Sequence, residues 1–134
     1  MSTGVTERAW SLSVPHHARG AAIARRHLLA ALDEAGMAGD VVTDAVSVVS
    51  ELVGNAVRHA RAWRPGVIAV AWSVQPERVQ IRVIDGGSGS VPRLSTPPLD
   101  AMHGRGLQIV AALADRWGVE PVSGGRCVWA ELSR

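Results

Sequence analysis

Val48-Val49-Ser50-Glu51-Leu52-Val53-Gly54-Asn55-Ala56-Val57-Arg58-His59 is the stretch on which the reading of this chain turns. It is a strongly apolar helical pattern that carries a carboxylate, Glu51, and a carboxamide, Asn55, four residues apart. Residues at that spacing lie on one helix face, about 6 Å apart along the axis. A helix that only packed against a core would need neither group. Two oxygen-bearing side chains held in this way can hold a metal ion and a water, or a metal and a hydroxyl nucleophile. Taken alone, the pair is equally the polar side of a partly exposed helix.

The composition narrows what such a site could serve. A chain of 134 residues fits one domain and can bury a core without disulfides. Its hydrophobic fraction of 47% argues against disorder. All fourteen basic residues are Arg, with no Lys. That excludes a Walker-type phosphate loop, which needs a Lys, and any Schiff-base mechanism. The net charge is +2 with the signs interspersed, so no tract suggests direct nucleic-acid contact. Cys127 is the single cysteine, which excludes an internal disulfide and suits a reducing cytoplasm. Neither a signal-peptide pattern nor an apolar run of membrane-spanning length is present, so no membrane association is expected.

Around the central helix, residues 1–8 read as a flexible N-terminus and 9–134 as one domain. Ala9–Val14 reads as a strand ended by Pro15, and His16–Ala35 as a helix stopped by Gly36. Asp40 is expected to cap a second helix running to about Arg61. Val67–Val74 and Arg78–Asp85 read as a hairpin across Gln75-Pro76-Glu77. Gly86–His103 is rich in Gly, Ser and Pro and lacks periodicity, as functional or disordered loops do. Leu107–Ala114 reads as a third helix, and Arg116–Pro121 with Arg126–Leu132 as closing strands around Ser123-Gly124-Gly125. This order implies an α+β fold. It is a two-layer α/β sandwich, with a mixed, mostly antiparallel sheet and the helices on one face.

Two further motifs can complete a site. Val83-Ile84-Asp85-Gly86-Gly87-Ser88-Gly89 places a carboxylate at the end of an apolar strand, followed at once by glycines. Glycines let backbone approach a flat ligand, and the carboxylate can accept from an exocyclic amine. A strand-ending Asp-Gly turn is the plainer reading. His103-Gly104-Arg105-Gly106-Leu107 precedes a helix, whose uncovered backbone N–H groups favour phosphate, with Arg105 able to add a charged contact. A flexible loop–helix junction would look the same.

In order and spacing, the three motifs together resemble the GHKL superfamily of histidine kinase- and gyrase-like ATPases. The N box is similar to Glu51–His59, the G1 box to Asp85–Gly89 and the G2 box to Gly104–Leu107. The short span between G1 and G2 and the early helix pair resemble the RsbW/SpoIIAB-type anti-sigma-factor kinases, over roughly residues 10–132. The resemblance implies the Bergerat-type ATP-binding fold, with ATP and Mg²⁺ as cofactors. It implies that Asn55 coordinates Mg²⁺, that Asp85 binds the adenine amino group, and that Gly87 and Gly89 admit the base. Gly104, Arg105, Gly106 and Leu107 would wrap the phosphates. Glu51 would be the general base on a serine of a STAS-domain anti-anti-sigma factor, and Arg25 would lie at the partner surface. A sigma factor would be the second partner. The branch is often dimeric, which leaves room for a homodimer. The alternative is a catalytically inactive ATP-binding switch of the same fold.

Two departures stand out. The lid, Ser90–His103, is short and Pro-rich. Where the family often has Gly-Thr-Thr before the last strand, this chain has Gly125-Arg126-Cys127. The five histidines lack zinc-site spacing. His59 is expected to cap or pack, Cys127 to be a buried apolar residue, and the Trp residues to be core or interface.

Overall fold

The computed structural model describes residues 8–87 and 104–133. Five strands and three helices follow in the order β1 (Arg8–Pro15), α1 (Arg19–Glu34), α2 (Asp40–His59), β2 (Val67–Gln75), β3 (Arg78–Asp85), α3 (Gly104–Leu113), β4 (Arg116–Val122) and β5 (Gly125–Ser133). The strands form one sheet in the order β1-β2-β3-β5-β4. The α+β class and the two layers are as expected. Room had been left for a parallel pair, but all four ladders among the described residues are antiparallel. The pairs β2–β3 and β4–β5 follow directly in the chain, whereas α1 and α2 lie between β1 and β2, and α3 and β4 lie between β3 and β5.

Period-two patterning sets the sheet's two faces. In β2, burial alternates residue by residue, with Ile68, Val70, Trp72 and Val74 inward. The ladders align these with Val14 of β1, with Val79, Ile81 and Val83 of β3, and with Val128, Ala130 and Leu132 of β5. On that layer lie Ala24, Leu28 and Leu32 of α1, Val48, Val49, Leu52, Val53 and Ala56 of α2, and Leu107 and Val110 of α3. Fully burying an aliphatic side chain of this size is worth about 1.5–3 kcal/mol, so α2, the helix most deeply set in the core, is rigidly held.

Element ends shift for identifiable reasons. Gly36, with φ +76, ends α1 by donating to Asp33, while Met37 N–H reaches Leu32 O at 2.9 Å; this is the reciprocal closure that glycine favours. Asp40 does not cap α2. The cap position is Gly39, at φ +87 and without a side-chain bond, and Asp40 sits in the first turn, where a carboxylate suits the helix dipole. The first helix begins at Arg19 rather than His16, and His16 N–H instead extends the β1 end toward β2 by donating to Gly66 O at 2.8 Å. The strand expected from Ala9 begins at Arg8, and the third helix begins at Gly104 rather than Leu107. Residues 1–7 and the whole of the expected lid, 90–103, lie outside the described residues. No described helix is long and apolar enough to cross a membrane.

Candidate functional site

The polar positions of α2 separate by depth. Asn55 is buried at 2% exposure, and its Oδ1 has no hydrogen-bond partner among the described residues. A buried acceptor left in that state costs roughly 1–3 kcal/mol. Glu51, one turn earlier on the same helix, is half-buried. Beside it, Arg25 of α1 donates from Nη1 to Ser50 Oγ at 2.9 Å. Arg25 is therefore seated between the first two helices rather than on a solvated face, one residue from Glu51.

The end of α2 is tied to the turn after β3. Ala60 turns extended at φ −128 and ψ 164. Arg61 N–H then donates to Gly87 O at 2.9 Å, and Gly86 N–H returns to Arg61 O at 2.8 Å. A Cβ at Gly86 would collide with the carbonyl oxygen of Ala62, so only glycine permits this approach. Gly87 adopts φ +82, and among the described residues nothing lies within 4 Å of where a Cβ would stand. Gly89 lies outside the described residues.

Asp85 itself is fully buried, on the helix-facing side of β3. Its Oδ1 accepts from Gly87 N–H at 2.7 Å, a turn-closing bond typical of Asp-Gly-Gly, so the plain turn reading is realised. Its principal partner was not anticipated. Arg126 of β5 stands directly opposite in the ladder, and its Nε lies 3.2 Å from both carboxylate oxygens. Arg126 is 7% exposed, so the pair is an interior ion pair. In sequence this position showed only as a missing hydroxyl, and the one signal that could have found the partner is the β3–β5 register. Gly125 is also required, because a Cβ there would collide with the Asp85 carbonyl oxygen.

The first turn of α3 comprises Gly104, Arg105 and Gly106, so these residues stand at a helix N-terminus. Leu107 differs from expectation in its side chain, which is buried at 2% in the core. Only its backbone can face a ligand.

His16, read from the sequence as the start of the first helix, has a different place. His16 Nε2 lies 2.9 Å from Ala60 O and 3.3 Å from Ala56 O, which also accepts from Ala60 N–H, so the imidazole donates at the carbonyl end of α2. Cys127, expected to be buried and apolar, is fully buried on the outer sheet face. Burial pushes its thiol up, against the pull of the neighbouring Arg82 guanidinium. Trp72 is in the core, and Trp129 covers Gly118.

The donor set fits one part of a metal–nucleotide site well. A hard cation takes oxygen ligands, and Asn55 Oδ1 is a buried oxygen without a partner. No group of three or more His, Cys, Asp or Glu capable of holding a metal exists among the described residues. A cation at Asn55 would therefore need most of its ligands from phosphate and water, as Mg²⁺ commonly has. A concavity of about 520 Å³ lined by Glu77, Arg78, Asp115, Arg116, Glu131 and Ser133 opens elsewhere. It lies at the other end of β3 from Asp85, seven residues or about 23 Å away, and holds an exposed ion-pair cluster.

Comparison with known proteins agrees with this geometry. The family model for the histidine kinase-like ATPase domain matches residues 14–132, and the chain belongs to that family. Among solved structures, it is similar to the crystal structure of the RsbU and RsbW domains of Rv1364c from Mycobacterium tuberculosis, with a TM-score of 0.72 and 24% identity over 95% of this chain. It spans about a third (33%) of that chain's length, and the likeness shows the shared fold. No curated protein matches.

Proposed function

We propose that residues 9–134 act as one cytoplasmic Mg·ATP-dependent serine/threonine protein kinase domain of the RsbW type. It holds a sigma factor and phosphorylates a STAS-domain anti-anti-sigma factor. The observation that carries this reading is the buried Asn55 Oδ1, without a partner among the described residues, with Glu51 one turn away and half-exposed, in a chain of the histidine kinase-like ATPase family.

Bound Mg²⁺ would neutralise phosphate charge, which is most of what phosphoryl transfer asks of a site. The chain's own residues do the rest. Asn55 offers the oxygen that fixes the cation. Asp85 accepts from the base and the first turn of α3 offers N–H groups to phosphate. Glu51 is accessible enough to meet a partner's hydroxyl, which it orients and from which it takes the proton. Arg25, anchored on Ser50, puts a cation beside the point where that partner would arrive.

The test mixes the protein with labelled ATP and STAS proteins from the same cell. Transfer to a serine, abolished by Glu51→Ala with ATP binding retained, supports the kinase. ATP binding without transfer by the intact protein makes this chain an inactive ATP-binding switch instead. A pull-down with wild type and Arg25→Ala identifies the sigma factor and the contribution of Arg25.

A further inference from the structure

We propose that Arg126 reads the nucleobase together with Asp85, the two forming one donor–acceptor pair for the amino and ring-nitrogen edge of adenine. This rests on the ATP-binding reading above.

The pair is built by register. Asp85 and Arg126 are opposed across β3 and β5 on the helix-facing side, both buried, where the Gly86-Gly87 turn leaves the strand. The carboxylate is an acceptor with about four lone-pair sites. Gly87 N–H and Arg126 Nε occupy Oδ1, while on Oδ2 only the shared contact with Nε is made among the described residues. Oδ2 therefore keeps capacity for an incoming N–H. The guanidinium meets Asp85 through Nε alone. Its two Nη groups belong to the same rigid plane, so Arg126 carries further donors beyond the one that holds Asp85.

Adenine offers the complement, an exocyclic N–H donor next to the N1 acceptor. A 6-keto purine reverses both, placing an oxygen against the carboxylate and an N–H against the guanidinium. A neutral hydroxyl at position 126 could turn to suit either edge, because its proton rotates. A guanidinium has no acceptor and cannot adapt. The ion pair also keeps Asp85 from being a buried charge without a partner.

Calorimetric binding separates this from other roles. The probes are Mg·ATP, Mg·ITP and Mg·1-deaza-ATP, in which a C–H replaces N1. Wild type is expected to bind 1-deaza-ATP at least about tenfold more weakly than ATP, the scale of one charged hydrogen bond. ITP is expected to bind more weakly still. Arg126→Met should bring ATP and 1-deaza-ATP within about threefold of each other. Arg126→Lys keeps a cation beside Asp85 but lacks the fork, so it should show the same narrowing where Arg126→Met does not fold. Equal binding of ATP and 1-deaza-ATP by wild type overturns the inference and leaves ATP binding standing. Tighter ATP binding by Arg126→Thr than by wild type also overturns it, since Arg126 would then obstruct the base. If wild type binds none of the three, the ATP-binding reading fails and this one with it.

Discussion

His16 Nε2 donates to the carbonyl oxygen of Ala60 at 2.9 Å, so a residue from the β1–α1 connection closes the C-terminal end of the helix that carries Glu51 and Asn55. The last carbonyls of a helix lack intrahelical partners and carry its negative dipole end. His16→Ala should therefore lower unfolding stability by about 1–2 kcal/mol. Urea titration checks it, and an unchanged midpoint would show that water replaces the imidazole at no cost.

Asn55 presents the opposite case, a buried acceptor that the described residues leave unpaired. Asn55→Leu should stabilise the ligand-free protein by about 1 kcal/mol, since the desolvated carbonyl is removed. The same change should lower ATP affinity at least tenfold in Mg²⁺ while leaving binding in EDTA nearly unaltered. Thermal melting and calorimetry read the two effects separately. Destabilisation without any change in Mg²⁺ dependence would make Asn55 a packing residue.

Gly86 and Gly125 are predicted to be intolerant for steric reasons. A Cβ at either would collide with a carbonyl oxygen, of Ala62 and of Asp85 respectively. Gly86→Ala and Gly125→Ala should each cost about 1–3 kcal/mol, the scale of overpacking. Gly36→Ala meets no atom and carries only the strain of φ +76, so it should cost less, about 1 kcal/mol. Chemical denaturation of the three variants side by side gives the order, and a reversal of it would refute the collision account.

Acid sensitivity should centre on Glu131. Arg116 donates to Glu131 Oε1 from Nη2 at 2.6 Å and from Nε at 3.1 Å, and these bonds hold the carboxyl below its ordinary range. The unfolded chain then takes up the proton at higher pH than the folded one. The stabilisation is complete above the ordinary glutamate value of 4.5 and is lost as pH falls below it. Asp115, lowered by its bonds from Ser133, acts in the same direction. Melting temperatures from pH 7 to 3 should show a shallower acid limb for Glu131→Gln than for wild type.

Much of this site is legible in local sequence. Periodicity marks the helix of Glu51 and Asn55, alternation marks the β2–β3 hairpin, and a strand running into Gly-Gly marks Asp85. Such signals need only neighbours a few residues apart, because each element's own repeat decides which side chains share a face. The cap of α2 differs from the expectation for a local reason: Gly39 and Asp40 are both good residues for a helix start, and the backbone angle at Gly39 decides between them.

What the sequence alone determined is therefore the elements, the α+β class and the three motifs in their order. The tertiary structure decided their partners. Asp85 and Arg126 are 41 residues apart and meet only through the β3–β5 register. Arg25 finds Ser50, and His16 finds Ala60, only once α1 lies on α2 and β1 takes the sheet edge. The side chain that holds a buried carboxylate depends on which strand the core packing places beside it, and no local pattern encodes that choice.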